Sequence, residues 1–273
     1  MRLSWVDGKP AKGLSVHDRG LAYGDGLFET IRVRCARPQL FERHMQRLQD
    51  GCQRLGLACD LSALKAEILS FSAALGDGVA KLIVTRGEGE RGYAISQSST
   101  PRRLLLEAPA PAYPNENAER GVHLFACATR LAEQPRLAGL KHLNRLEQVL
   151  ARTEWQDPTF AEGLMRDTSG RVIEGVFSNI FLVHDGLLST PALHRCGVAG
   201  VMRAEIIERA RQLQLPVQVQ DIAIEQLFAA DEVFLCNSLF GIWPVLGLME
   251  HVWQAGPLTR KLQGCLAELS GNS

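Results

Sequence analysis

The chain has 273 residues, of which 46% are apolar and 22% charged, so it can bury a substantial core and is neither disordered nor fibrous. Thirty Lys and Arg offset thirty Asp and Glu, which removes any global electrostatic argument for a nucleic-acid partner. No apolar run reaches membrane-spanning length, the N-terminal residues do not pattern as a signal peptide, and seven scattered cysteines without a Cys-x-x-Cys pair read as free thiols of a reducing cytoplasm rather than a zinc site.

The chain opens with short apolar runs and turn signals, Trp5-Val6, then Asp7-Gly8-Lys9-Pro10, then Leu14 to Val16, which read as small strands and a hairpin. Residues 27–33 read as a strand. Its alternation sets Phe28, Thr30, Arg32 and Arg34 on one face and Glu29, Ile31 and Val33 on the other. Helical spacing of His44, Leu48, Cys52 and Leu55 predicts a helix over 42–55, and another starts at Ser62 with Leu64, Ile68, Leu69 and Phe71. Residues 81–85 and 103–107, with 93–95 between them, suggest a small antiparallel sheet. Three prolines within 109–114 suit an interdomain linker. The expected organisation is therefore an N-terminal domain over 1–107, a linker over 108–118 and a C-terminal domain over 119–273. In the second half, strands at 122–129, 163–165, 179–183 and 232–236 alternate with helices at 144–155 and 201–213, so the class is α/β or α+β.

Arg86-Gly-Glu-Gly-Glu-Arg91-Gly92 contains Gly-x-Gly-x-x-Gly after a strand, but no helical pattern follows Gly92, so a dinucleotide-binding reading fails and a glycine-rich connection remains. Its two arginines are candidates for bidentate carboxylate binding. Gly197-Val-Ala-Gly200-Val201-Met202 opens a helix and could bring backbone N–H groups to an anion, though it reads equally as an ordinary glycine loop. Lys141 sits between apolar residues just before a helix that Asn144 is placed to cap. Such surroundings favour the neutral, nucleophilic amine, although by chemistry alone a surface lysine fits as well. Glu174 is a lone carboxylate in an apolar, β-like stretch. It is either a solvent-facing strand residue or the partner of a buried cation such as a protonated pyridine nitrogen.

Together these segments resemble the fold-type IV pyridoxal-5'-phosphate (PLP) enzymes, which include branched-chain aminotransferases, D-amino-acid aminotransferases and aminodeoxychorismate lyases. The resemblance covers nearly the whole chain. Asp18-Arg19-Gly-Leu-Ala-Tyr-Gly24-Asp25-Gly26-Leu-Phe-Glu-Thr looks like the family's glycine-rich signature, and His44-Met-Gln-Arg47-Leu like the helix whose arginine grips the cofactor phosphate. The resemblance implies that Lys141 carries PLP as a Schiff base and that Glu174 faces the pyridine nitrogen. It implies phosphate contacts from the backbone of Val201 and Met202 and from Asn237 and Ser238. Gly139-Leu-Lys141-His-Leu-Asn-Arg-Leu-Glu-Gln-Val, with Arg86 to Tyr93 and Cys236-Asn237, looks most like the lyase branch. That branch implies elimination of an enolpyruvyl group to give p-aminobenzoate and pyruvate in folate biosynthesis. An aminotransferase on the same scaffold is the nearest rival. Further expectations are Thr30 near the reacting carbons, Arg91 and Tyr93 on a substrate carboxylate, Arg32 as a weaker candidate, and a homodimer with its site where the domains join.

Overall fold

The structure, a computed structural model, describes residues 3–96 and 99–267. The chain forms two compact units. One comprises the chain up to Pro111 together with Leu140–Asn144, and the other comprises Ala112–Gly139 and the chain from Arg145 onward. The expected linker straddles this division. Lys141, expected in the C-terminal domain, groups with the first unit, because its segment hydrogen-bonds to a strand there.

In chain order the first unit has β1 (Ser4–Val6), β2 (Lys9–Pro10), α1 (Arg19–Tyr23), β3 (Gly26–Arg34), β4 (Arg37–Pro38), α2 (Phe41–Leu55), α3 (Leu61–Leu75), β5 (Gly78–Thr85) and β6 (Arg102–Ala108). The strands form one six-stranded sheet ordered β2-β1-β6-β5-β3-β4, larger than the small sheet expected. The alternation of β3 falls as the sequence predicts. Leu27, Glu29, Ile31 and Val33 are buried, while Phe28, Thr30, Arg32 and Arg34 are half-buried. The buried apolar residues of β3 share a core with Met45, Leu48 and Cys52 of α2 and Leu64, Ile68 and Phe71 of α3. A glycine inside a helix costs about 1 kcal/mol against alanine. At Gly51 of α2 a Cβ would lie 2.7 Å from Leu27 Cδ1, so a larger residue there would force the Leu27 side chain to move. Asp60 starts α3 by accepting the N–H groups of Ser62 and Ala63. Leu14 to Val16 is not a strand, and neither is the 93–95 segment, which is a bend followed by irregular backbone. Gln97 and Ser98, in the stretch tested for a helix, lie outside the described residues.

The second unit has α4 (Glu116–Glu119), β7 (Val122–Leu131), α5 (Leu146–Thr153), β8 (Phe160–Asp167), β9 (Val172–Gly175), β10 (Asn179–His184), β11 (Leu187–Pro191), α6 (Val201–Gln212), β12 (Val217–Gln220), α7 (Ile224–Phe228), β13 (Glu232–Asn237), β14 (Gly241–Leu248), β15 (His251–Val252) and α8 (Pro257–Cys265). Its main sheet runs β12-β11-β10-β13-β14-β7-β8-β9, and a further pairing of Glu174 with Asn179 joins β9 to β10. Strands β10, β13, β14, β7, β8 and β9 thereby close on themselves, while β12 and β15 keep a partner on one side only. Alternate residues of the closed strands, among them Leu124, Leu164, Val172, Ile180, Leu235, Trp243 and Val245, make one core. On the opposite strand faces Phe181 and Phe234 stack at 5.0 Å. Asn144 does not cap α5. The N-cap is Arg145, without a side-chain bond, and Asn144 Nδ2 instead donates to Gly24 O at 3.2 Å.

Candidate active site

In the first unit the Lys141 segment lies against the start of β3. Phe28 N donates to Lys141 O at 2.9 Å, Leu143 N donates to Gly26 O at 3.0 Å, and Leu27 bridges His142. Two glycines of the N-terminal signature permit this approach. A Cβ on Gly24 (φ +64°) would meet Asn144 Oδ1 at 2.5 Å, and one on Gly26 would meet Val84 O at 2.4 Å and Leu143 Cδ1 at 2.9 Å. So held, Lys141 Nζ stands 4.3 Å from the centre of the Phe28 ring. Thr30 and Arg32 follow Phe28 on the same half-buried face. Burial, and then the neighbouring Arg34, lower the pKa of Arg32. Lys81 pairs with Thr30 across the sheet, with Nζ 5.9 Å from the Phe28 ring. Lys81 had no role assigned from sequence, yet cross-strand register puts its cation beside Thr30, an expected site residue.

Arg47 meets β3 from the opposite, helix-covered side. Its Nε donates to Glu29 Oε1 at 2.7 Å and its Nη2 to Glu29 Oε2, while His44 Nδ1 lies 2.6 Å from Oε2. Burial would raise the pKa of Glu29, but Arg47 and His44 outweigh it and hold the carboxyl at about 2. Burial lowers the pKa of His44 against the pull of Glu29, so the neutral ring donates from Nδ1 and Arg47 is the countercharge.

Arg86 is not a substrate arginine. It is buried, its Nε donates to Asp25 Oδ2 at 2.7 Å, and its Nη1 and Nη2 donate to Gly56 O and Leu55 O at the C-terminus of α2. Those are the carbonyls a helix end leaves unpaired, and a cation is favoured there. Arg91 and Tyr93, by contrast, are exposed.

In the second unit Glu174, Asn179 and Cys236 form one cross-strand row, with Asn237 and Ser238 directly after it. Glu174 is buried, not solvent-facing. Its Oε2 accepts from Val198 N at 2.8 Å and lies 3.5 Å from Asn179 Nδ2. Asn179 had no role assigned from sequence, but it ties the row to the loop before α6. Its Nδ2 donates to Val198 O at 2.8 Å and its Oδ1 accepts from Gly200 N at 3.1 Å. Gly200 has no side chain to cap α6, so the first-turn amides of Val201 and Met202 meet no side-chain acceptor from the N-cap. Asn237 spends its side chain on structure. Oδ1 accepts from Leu239 N and Phe240 N, both at 2.9 Å, and Nδ2 donates to Phe177 O.

Taken singly, these groups each suit one part of a phosphorylated pyridine aldehyde. Lys141 is an amine on an apolar ring face, Glu174 is a buried carboxylate suited to a pyridinium N–H, and the twelve-residue α6 offers an uncapped N-terminus to a phosphate. Gly197 (φ +82°) leaves room beside Glu174, since a Cβ there would come within 3.3 Å of its Oε2.

The fold and these groups define a class, that of the fold-type IV, PLP-dependent enzymes. The chain belongs to the amino-transferase class IV family, whose pattern matches residues 26–248. It is 38% identical over 268 residues to an aminodeoxychorismate lyase of Vibrio harveyi, covering 96% of this chain and 98% of that one. A crystal structure of 4-amino-4-deoxychorismate lyase from Pseudomonas aeruginosa superposes with a TM-score of 0.96 at 64% identity, covering 97% of this chain and 98% of that chain. A D-alanine aminotransferase of Staphylococcus aureus is 27% identical over 261 residues, covering 92% of this chain and 90% of that one.

Proposed function

We propose that this chain is a PLP-dependent lyase that converts 4-amino-4-deoxychorismate to p-aminobenzoate and pyruvate, a step of folate biosynthesis. The observation that carries the reading is the 64% identity, over 97% of the chain, to a structure of that lyase. Lys141 Nζ would hold the cofactor's carbonyl carbon, Glu174 would keep its ring nitrogen protonated, and the Val201 and Met202 amides, with Arg47, Ser238 and the backbone of Asn237, would hold its phosphate. When bound, PLP supplies an electron sink for the carbon that carries the substrate amine.

Lys141 Nζ, as a free amine, would take the C4 proton of the substrate. Its Nζ, 4.3 Å from the centre of the Phe28 ring, is held at the open face of β3 for that step. The C3–O bond then breaks, the enolpyruvyl group leaves as the enolate of pyruvate and takes up a proton at its methylene carbon, and the ring becomes aromatic. Thr30, one step along the face from Phe28, orients or relays a proton near C4. Arg91 and Tyr93, with Lys81 and Arg32 as further cations, bind the two substrate carboxylates. The enzyme works as a homodimer in the cytoplasm.

The test is a product assay. Freshly made 4-amino-4-deoxychorismate is supplied to the purified PLP-loaded protein, and p-aminobenzoate and pyruvate are measured together. Equimolar release of both is expected. Amino transfer from D-alanine or a branched-chain amino acid to 2-oxoglutarate, with no p-aminobenzoate, would overturn the lyase and leave an aminotransferase. Lys141→Ala should lose the visible absorbance of the bound cofactor together with turnover.

A further inference from the structure

We infer that Arg19 is a positioning residue for substrate binding. Its buried guanidinium fixes the backbone of Gly92–Ala94 and so sets where Arg91 and Tyr93 stand. The inference rests on the lyase reading, in which those two side chains hold a substrate carboxylate.

Arg19 lies on the short helix α1, yet only 5% of its side chain is exposed. Its Nε donates to Asp25 Oδ2 at 3.0 Å. Its Nη1 donates to Gly92 O at 2.9 Å and Ala94 O at 3.3 Å, and its Nη2 to Tyr93 O at 3.4 Å. One planar fork thus spans a carboxylate and three consecutive carbonyls, which an ammonium point charge cannot do at once. Tyr23, from the same helix, adds a second tie. Its hydroxyl accepts from Gly92 N at 3.1 Å, and its ring lies 5.5 Å from the Tyr93 ring. The chain crosses closely over the arginine, because a Cβ on Gly89 would lie 2.7 Å from Arg19 Cδ.

The loop needs such ties. From Gly89 to Ser96 it contains no helix or strand, so no ladder of backbone bonds holds it. Arg91 is exposed and pairs with no carboxylate among the described residues, and Tyr93 is 87% exposed. Two exposed side chains grip a small anion well only if their backbone is already fixed. The anchor itself is rigid. Asp25 also accepts from Arg86, whose other nitrogens bind the end of α2. Burial works against the Asp25 carboxylate, yet Arg86 and Arg19 keep its pKa below the usual value, so both ion pairs persist at neutral pH.

The experiment compares PLP-loaded wild type, Arg19→Lys and Tyr23→Phe by steady-state turnover of 4-amino-4-deoxychorismate and by native trypsin nicking at the Arg91–Gly92 bond, with fragments identified by mass. For Arg19→Lys the expectation is a KM raised about tenfold with kcat within about twofold, the mark of lost uniform binding. The cofactor absorbance should stay unchanged, and nicking should be about fivefold faster or more, because opening of the loop exposes the bond. Tyr23→Phe should move both readouts the same way by less, and it carries the test alone if Arg19→Lys does not fold. Unchanged nicking overturns the inference, and so does faster nicking at an unchanged KM. If wild type releases no p-aminobenzoate, the lyase reading falls, and the nicking rates still decide whether Arg19 fixes the loop.

Discussion

Replacing Glu29 by Gln should destabilise the protein strongly at neutral pH and less than half as much at pH 3. Glu29 is 1% exposed and accepts both arms of Arg47 and the His44 ring. Against burial, which raises it, these partners hold its pKa at about 2 instead of 4.5. A difference of about 2.5 units corresponds to roughly 3 kcal/mol of preference for the ionised form in the folded state. Because the folded pKa is the lower one, that stability is fully present above pH 4.5 and drains away as pH falls toward 2. Gln also leaves Arg47 without its countercharge, and breaking such a buried pair typically costs about 3–5 kcal/mol. The expected loss at pH 7 is therefore about 3 kcal/mol or slightly more, or roughly 6–12 °C in Tm at about 2–4 °C per kcal/mol. Urea unfolding followed by near-UV circular dichroism at pH 7 and pH 3 measures both gaps. An equal gap at the two pH values, or none at pH 7, would refute the assignment of this stability to the Glu29 charge.

Glu162, wholly buried, has its carboxyl pushed up to about 7 by burial, although Gly163 N, Ser178 Oγ, Phe177 N and Val176 N all donate to it. With the folded pKa the higher one, stability should fall by up to about 3 kcal/mol as pH rises from 4.5 through 7. Thermal melts at pH 5 and 8 should show that slope in wild type and a flatter one in Glu162→Gln. Gly200→Ala puts a Cβ 2.0 Å from Asn179 Oδ1. It should cost about 1–3 kcal/mol and weaken PLP retention, measured by dialysis. Glu174→Ala removes the acceptor of Val198 N, which should cost about 1–3 kcal/mol. It should also lower kcat more than it lowers cofactor absorbance, and equal losses of the two would argue against an electron-withdrawing role.

The strand faces and helices that carry the candidate site residues were legible because period-two and helical patterns were strong. Phe28, Thr30 and Arg32 fell on one face and Glu29 on the other, as alternation required. What stayed hidden was pairing across long sequence distance. Nothing local to Lys81 says that it lies opposite Thr30, and nothing local to Asn179 says that it would bridge Glu174 to Gly200. Arg86 and Arg91, five residues apart in one loop, look alike in sequence. The structure separates them because the open carbonyls at the C-terminus of α2, Leu55 O and Gly56 O, accept from the Arg86 guanidinium. Asn144 misled for the same reason, since the carbonyl of Gly24, 120 residues earlier, took the side chain expected to cap α5.

β3 explains why the glycine signature and the Arg47 helix occur in one unit. A strand shows alternate residues to opposite sides, so one rigid element can carry two chemistries. On its open side, Phe28 and Thr30 stand beside Lys141, whose segment bonds to the strand backbone at Gly26 and Phe28. On its covered side, Glu29, between those two residues, fixes Arg47 by a buried ion pair. A shift of β3 by one residue would put Glu29 in the open and Thr30 in the core, so both faces depend on one register. Eight paired residues with β5, from Gly26 to Val33, make such a slip costly. It follows that a substitution weakening only the Glu29 ion pair, and leaving that ladder intact, should alter Arg47 and the acid stability while the Lys141 side of the strand keeps its geometry.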